Sequence, residues 1–169
     1  MFRGIISAVC VWLMVVAAHT GPSSASSEKI ETLSITRPWA RATPPRAQAA
    51  GGYLTIENSG AAPDMLVGVQ SPIAGRVEIH EMRMESNIMI MRPVDGALEI
   101  PAGGALTLAP GGLHIMFMGL NQPFAEGSKV PVTLHFDKAG EVETFLDVMH
   151  LGATGPGQKT GSGGHGHGQ

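Results

Sequence analysis

Short β-type segments separated by turn signals run along the chain, and this pattern limits its fold to the all-β class. The segments are rich in Val, Ile, Leu, Thr and Phe and end at signals such as Gly51-Gly52, Asn58-Ser59-Gly60 and Pro110-Gly111-Gly112. No stretch has the apolar stripe of an amphipathic helix. Many short strands at regular spacing predict a sandwich or barrel in a single domain. The predicted strands cover 30–36, 53–57, 65–70, 76–84, 88–94, 97–100, 105–108, 113–118, 130–136 and 142–149.

The two ends of the chain differ from this β-rich part. Residues 1–25 have a basic residue near the start, an apolar run over 5–18 and small residues at the end. This composition is typical of a secretory signal peptide, and the apolar run is shorter than the about 20 residues that span a membrane. We therefore predict a signal peptide at 1–25, a domain at 27–151 and a disordered Gly/Ser/His-rich tail at 152–169.

Cysteine and charge restrict the partners of the exported chain. Cys10 is the only cysteine and follows Val9 inside the predicted leader, whereas a lipid-attachment cysteine would follow a small residue at the cleavage point. We expect neither a disulfide nor a membrane anchor after the leader is removed. Eleven basic and 14 acidic residues give no indication of a nucleic-acid surface. The expected partner is a metal or another protein.

Histidine and methionine recur in three predicted strands with the same parity. Successive side chains of a strand point to opposite faces. In the runs at 77–84, 88–91 and 113–118, one parity holds the aliphatic and aromatic residues that we expect to face the core: Val77, Ile79, Ile88, Ile90, Leu113, Ile115 and Phe117. The other parity holds His80, Met82, Met84, Met89, Met91, His114, Met116 and Met118.

A hairpin would bring the first two runs together. If the residues between them form its loop, Met84 lies opposite Met89. The same register places Met82 opposite Met91, and His80 becomes a diagonal neighbour of Met91. Long side chains can reach across a diagonal of this kind.

Thioether and imidazole side chains together favour Cu(I). A thioether is a soft, uncharged ligand, and imidazole is the commonest nitrogen ligand. The exported part of the chain has no cysteine. A blue-copper site needs two histidines and a cysteine, so it cannot form here. Two alternative roles for the methionines stay open, because methionine also fills gaps in cores and an exposed methionine patch can bind a partner protein.

Five sequence motifs are spread over most of the predicted domain. They are RPWARATPP at 37–45, GYLTIEN at 52–58, MRPV at 91–94, PGGLHIMFMGL at 110–120 and VPVTLHF at 130–136. In these motifs the chain resembles the PCuAC family of periplasmic copper chaperones. The resemblance implies a cupredoxin-like Greek-key β-sandwich.

The resemblance also implies a ligand set. The family holds Cu(I) with a His, a Met separated from it by ten residues, and a later His-x-Met. Matched position by position, these ligands are His80, Met91, His114 and Met116. Some members have a further Met directly after the first His, and Glu81 stands there in this chain.

The other histidines, methionines and aromatic residues have weaker predicted roles. Auxiliary ligands for the main site are Met82, Met84, Met89 and Met118. A second, looser site that prefers Cu(II) or Zn could use His150 together with His165 and His167 of the tail, or the tail is a solubilising linker. We expect Trp39 and Tyr53 to pack the sandwich, and an aromatic ring beside the metal could also shield it from water.

Taken as a family member, the chain is expected to be a soluble, monomeric, periplasmic Cu(I) chaperone. Its implied client is the copper A centre of cytochrome c oxidase, reached through subunit 2 of that enzyme or through another copper-assembly protein. A copper-buffering or resistance protein without a dedicated client is the alternative, and an extracytoplasmic interaction module is a third. The sequence has no nucleophilic cysteine in the exported part, no Gly-x-Ser-x-Gly and no His-Glu-x-x-His, so we do not expect an enzyme.

Overall fold

The computed structural model describes residues 32–156, and this part of the chain is built from strands. No helix within it could span a lipid bilayer. Each predicted strand is present, so the prediction of an all-β fold is confirmed. The strands are β1 (Leu33–Arg41), β2 (Ala49–Asn58), β3 (Asp64–Gln70), β4 (Ala74–Glu85), β5 (Ile88–Pro93), β6 (Leu98–Ile100), β7 (Ala105–Leu108), β8 (Leu113–Leu120), β9 (Lys129–Phe136) and β10 (Gly140–Met149).

The strands form one continuous sheet that folds over its own core as a cupredoxin-like Greek-key sandwich. Their order is β5-β4-β8-β2-β1-β10-β9-β3-β6, and β7 pairs with β2. The first and last strands, β1 and β10, pair in parallel, whereas the other pairs are antiparallel. Strand β2 pairs with β8 over its first residues and with β7 over its later ones. This change of partner separates β7 from β8 and leaves a gap on the outer face of the sheet.

Alternation along the strands produces the core, as the sequence pattern predicts. Every second residue of β9 is buried, and the intervening side chains are more exposed. On β8, Ile115 and Phe117 of one parity are fully buried in the core. Fully burying a Leu, Ile, Val or Phe side chain contributes about 1.5–3 kcal/mol to folding. The largest fully buried side chains are Phe117, Phe124, Leu54, Ile56, Leu66, Ile100, Leu108, Ile115, Leu134, Leu146, Val130 and Val132.

Gly51 and Gly52 lie inside β2, although the sequence pattern indicated a turn at this pair. Their lack of a side chain serves close packing. A Cβ atom on Gly52 would lie 2.7 Å from Leu146 Cδ1, and one on Gly51 would lie 2.8 Å from the Tyr53 hydroxyl. The glycines therefore let core and outer-face side chains approach the strand, a use that sequence alone does not distinguish from a turn.

The β4–β5 hairpin extends beyond the core, which corrects one expectation. We expected Ile88 and Ile90 to face the core, but Ile88 is 65% exposed and neither contacts the core cluster. That face of the hairpin carries ion pairs instead, from Arg83 and Arg92 to Glu85. Only the part of β4 nearer its start contributes aliphatic side chains to the core.

The first residues of the predicted tail pack onto the domain. Ala153 is fully buried against Trp39 and Tyr53, and its carbonyl accepts a hydrogen bond of 2.7 Å from Arg41 Nε. The ordered domain therefore extends past Leu151, where we expected it to end. The predicted leader and residues 157–169 of the predicted tail lie outside the described residues.

Candidate metal centre

A cavity of about 360 Å³ lies on the outer face of the sheet, where β2 changes partner from β8 to β7. Its walls come from the ends of β1, β2, β4, β5 and β8 and from the turn between β7 and β8. Three of the four predicted copper ligands line it, together with one auxiliary candidate. These four residues are Met91, His114, Met116 and Met82.

Among the buried polar residues of the described chain, His114 alone keeps a side-chain atom, Nε2, without a hydrogen bond to the backbone. The others, Asn58 and Asp64, each make several hydrogen bonds to backbone groups. His114 Nδ1 lies 3.0 Å from the Gly112 carbonyl, so this nitrogen carries the proton and donates. The Nε2 lone pair is then free for a metal, the arrangement that metal-binding histidines commonly show.

His80 lies directly opposite His114 in the β4–β8 pair, with the two ring centroids 6.1 Å apart. Its Nε2 lies 2.9 Å from Glu78 Oε2, and its Nδ1 is buried without a hydrogen-bond partner. Donation from Nε2 to the carboxylate leaves the Nδ1 lone pair free. A buried nitrogen with no partner is costly, and coordination of a metal would satisfy it.

The hairpin register is the one that the sequence pattern predicts. Met84 pairs with Met89, and Met82 pairs with Met91. The loop is tighter than expected, because only Ser86 and Asn87 separate the strands. Both have positive φ, at 49° and 65°, as in the type I′ turn that matches the twist of a hairpin. The inner methionine pair, Met82 and Met91, lines the cavity.

The Tyr53 ring and the Arg41 guanidinium form a further part of the cavity wall. Tyr53 stacks on Trp39 with ring centroids 4.4 Å apart, and its ring lies 6.5 Å from that of His114. Arg41 Cζ lies 5.6 Å from the centre of the Tyr53 ring. Burial raises the pKa of the Tyr53 phenol, although the nearby Arg41 charge acts in the opposite direction. Tyr53 therefore both packs the domain and borders the cavity as a neutral side chain.

The remaining predicted ligands lie elsewhere. Met84 and Met89 are at the exposed end of the hairpin. Met118 lies beyond Met116 on β8, and its sulfur accepts a hydrogen bond from Arg76. His150 follows β10 and does not line the cavity. His165 and His167 fall outside the described residues.

The donor set suits a soft monovalent ion. Within residues 32–156, no group of three His, Cys, Asp or Glu side chains is placed to hold a metal. The two histidines therefore reach a four-donor set only through methionine sulfurs. The same part of the chain contributes no carboxylate to the lining of the cavity. Imidazole with thioether favours Cu(I) over the hard ions that need oxygen ligands.

Sequence reasoning missed two residues of this region. Glu78, which orients His80, precedes it by two positions, so the parity argument applied to the histidine would have found it. Arg41 gave no comparable signal, because it comes from a strand with no His or Met on it. Its position depends on pairings between distant parts of the chain.

Comparison with known proteins identifies the family. The family model described as "Putative lipoprotein LpqE-like" matches residues 33–148, which is most of the chain. The chain belongs to the LpqE-like family. A relative of this LpqE-like chain, the putative lipoprotein Lxx21020 of Leifsonia xyli subsp. xyli, is 33% identical over 133 residues, covering 78% of each protein.

Solved structures connect the LpqE-like chain to copper-binding domains. The copper-bound PCuAC domain from PmoF2 has a TM-score of 0.60 and 30% identity, covering 70% of this chain and 93% of that one. The apo form of DR1885 from Deinococcus radiodurans has a TM-score of 0.56 and 25% identity, covering 89% and 97%. DR1885 has also been solved with Cu(I) bound, at a TM-score of 0.50, with 29% identity and coverage of 80% and 94%. The predicted resemblance to PCuAC domains is confirmed.

Proposed function

We propose that this LpqE-like chain is a periplasmic Cu(I) metallochaperone that supplies copper for assembly of the copper A centre of cytochrome c oxidase. The observation that carries the proposal is the convergence of imidazole and thioether donors at one cavity, to which residues 32–156 contribute no carboxylate. His80 through Nδ1, His114 through Nε2, Met91 and Met116 would hold the ion. Copper is the cargo in this role, so no catalytic group is required.

Three features of the site support a carrier. The ligands are neutral and need no deprotonation, so loading and release do not depend on moving a proton. Met91 is 43% exposed, which gives an acceptor access to one ligand of the bound ion. PCuAC domains of the same fold are known in copper-bound and apo forms, which supports reversible binding by this architecture.

An anaerobic Cu(I) titration against a chromophoric chelator tests the site. The chains to compare are the protein without its leader, a truncation after Pro156, and Met91→Ala combined with His114→Ala. We expect one tight equivalent that survives truncation and is lost in the double variant. Met65→Leu combined with His135→Ala, on strands β3 and β9, is the matched control. Tight binding that disappears with the tail, or is indifferent to the double variant, would make the assignment wrong.

Delivery and buffering are separated by the fate of the copper. A loaded chaperone should transfer Cu(I) to the apo copper A domain of oxidase subunit 2, or to another assembly protein that passes it on. Deleting the gene should lower oxidase activity, and added copper should restore it. Copper sensitivity with normal oxidase activity would favour the alternative, a buffering or resistance protein without a dedicated client.

Location outside the cytoplasm is part of the proposal. The signal-like leader supports export, and the family and the Leifsonia relative are both described as putative lipoproteins. We propose a soluble monomer without a lipid anchor. The anchor is not expected, because Cys10 is the only cysteine and Val9, rather than a small residue, precedes it. Cell fractionation with fatty-acid labelling of wild type and Cys10→Ser tests this point. A label that depends on Cys10 would show a lipid anchor instead.

A further inference from the structure

The methionine hairpin, defined here as Met82–Met91, carries a second methionine pair that the four-donor site does not use. Met84 and Met89 lie directly opposite each other, one step of the same face beyond the Met82–Met91 pair. Successive same-face pairs lie about 7 Å apart along a strand. The hairpin thus presents two rows of thioethers, and the inner row lines the cavity.

The outer pair is exposed in a way that packing does not explain. Met84 is 59% exposed and Met89 is 62% exposed, and neither contacts the core cluster. Edge strands such as β5 usually carry charged residues that prevent pairing with other chains. On this hairpin the charges lie on the opposite face, where Arg83 and Arg92 pair with Glu85. The methionine face is left uncharged up to the turn.

The hairpin places Met84 and Met89 side by side across its two strands. Opposite side chains of an antiparallel pair have Cβ atoms about 4.5–5.5 Å apart. The tight turn at Ser86 and Asn87 and the ion pairs on the other face fix the strands in register. The flexible methionine side chains can then turn both sulfurs toward one ion.

We propose that Met84 and Met89 form a transit site for Cu(I), through which the ion enters and leaves the four-donor site. The proposal rests on the proposed carrier function. Two thioethers hold Cu(I) weakly, which suits a site from which the ion must move on. Transfer inward is a ligand exchange: Cu–S bonds to Met84 and Met89 break as bonds to Met91 and to the other three donors of the main site, His80, His114 and Met116, form. No electron and no proton moves, because Cu(I) keeps its oxidation state and thioethers carry no proton.

A transit site changes rates without changing the equilibrium. Its loss raises the barrier for entry and exit alike, because both use the same path. We therefore expect the Met84→Leu, Met89→Leu double variant to load and release Cu(I) about tenfold more slowly, equivalent to ~1.4 kcal/mol in the barrier. The dissociation constant should stay that of the wild type. Leucine keeps the apolar character of the surface and removes only the sulfur.

Stopped-flow exchange of Cu(I) with a small chromophoric chelator, run in both directions, measures these rates. The protein without its leader is compared with the Leu double variant, a Met84→Ser, Met89→Ser variant and the control Met65→Leu. Equal slowing of both directions in the Leu and Ser variants, with unchanged affinity and a normal control, supports the transit site. Wild-type rates in the Leu variant, or slowing in the Ser variant alone, would overturn it and indicate an apolar surface.

Equilibrium measurements separate this proposal from the proposed function. A wild-type chain without tight Cu(I) binding would remove the carrier function and the transit site with it. Tight wild-type binding that the Leu variant loses would make Met84 and Met89 ligands of the main site and overturn the transit role alone.

Discussion

At the scale of single residues, Glu78 acts through a ligand and does not itself line the cavity. Its carboxylate lies 2.9 Å from His80 Nε2 and also pairs with Arg76. This contact fixes which imidazole nitrogen keeps the lone pair. Residues that orient a metal ligand in this way commonly matter nearly as much as the ligand itself.

Replacing Glu78 by Ala should therefore weaken Cu(I) binding by about tenfold, the lower end of effects seen for such contacts. Glu78→Gln should retain most of the affinity, because an amide oxygen still accepts the His80 N–H. Anaerobic chelator competition measures both. Glu81→Ala is the matched control, since Glu81 points to the opposite face of β4. An Ala variant with wild-type affinity would show that His80 needs no orientation by its neighbour.

Gly52, which the sequence pattern assigned to a turn, lies where core side chains pack closely against strand β2. A Cβ atom there would lie 2.7 Å from Leu146 and 2.8 Å from Phe117, which are both fully buried. Gly52→Ala should lower the free energy of unfolding by about 1–3 kcal/mol, as overpacking of a core does. Gly68→Ala, with its nearest neighbour at 3.8 Å, should change it little. Urea denaturation of the two variants decides; equal stabilities would rule out the clash.

At the scale of elements, the hairpin was predictable and the C-terminal segment was not. The alternation of His and Met with aliphatic residues gave the face and the register, because a strand repeats every two residues. By contrast, the contact between Arg41 and Ala153 joins positions 112 residues apart. Such a contact depends on the parallel pairing of β1 with β10, for which the local sequence gives no signal.

The C-terminal segment should add stability that a shorter chain lacks. A truncation after Leu151 removes Ala153 from Trp39 and Tyr53 and deprives Arg41 of its carbonyl partner. We expect a free energy of unfolding about 1–2 kcal/mol lower than for a truncation after Pro156. Denaturant unfolding of the two truncated chains measures the difference. Matching midpoints would mean that 152–156 contribute no packing energy.

At the scale of the whole molecule, metal binding and folding are linked. Cu(I) would bridge β4, β5 and β8, which are paired strands of the folded state only. A ligand that binds only the folded chain stabilises it by about 2.7 kcal/mol when its free concentration is 100 times the dissociation constant.

The cavity could not be located from sequence, because it depends on β2 changing partner between distant strands. The all-β fold class and the donor residues on each strand could be predicted from sequence, because they follow from local alternation.

Anaerobic thermal unfolding should therefore show a higher midpoint with Cu(I) than without it. Zn(II) should give a much smaller increase, because thioethers are poor ligands for it and the described walls of the cavity lack carboxylates. The Met91→Ala, His114→Ala variant should lose the Cu(I) effect. An equal increase with Zn(II), or one that persists in the variant, would place the stabilising metal elsewhere.

The parallel pairing of β1 with β10 also gives the domain a front and a back. Strand β1 begins at Leu33, opposite Asn58, and ends at Arg41 beside the cavity. These two ends of the strand, the far pole and the cavity pole, are about 25 Å apart at roughly 3.3 Å per residue. Strand β10 ends at the cavity pole as well. A tether or affinity tag attached before Leu33 would hold the cavity outward, toward an approaching partner. The chain returns to the cavity end of the domain at Met149, so purification handles belong at the amino end.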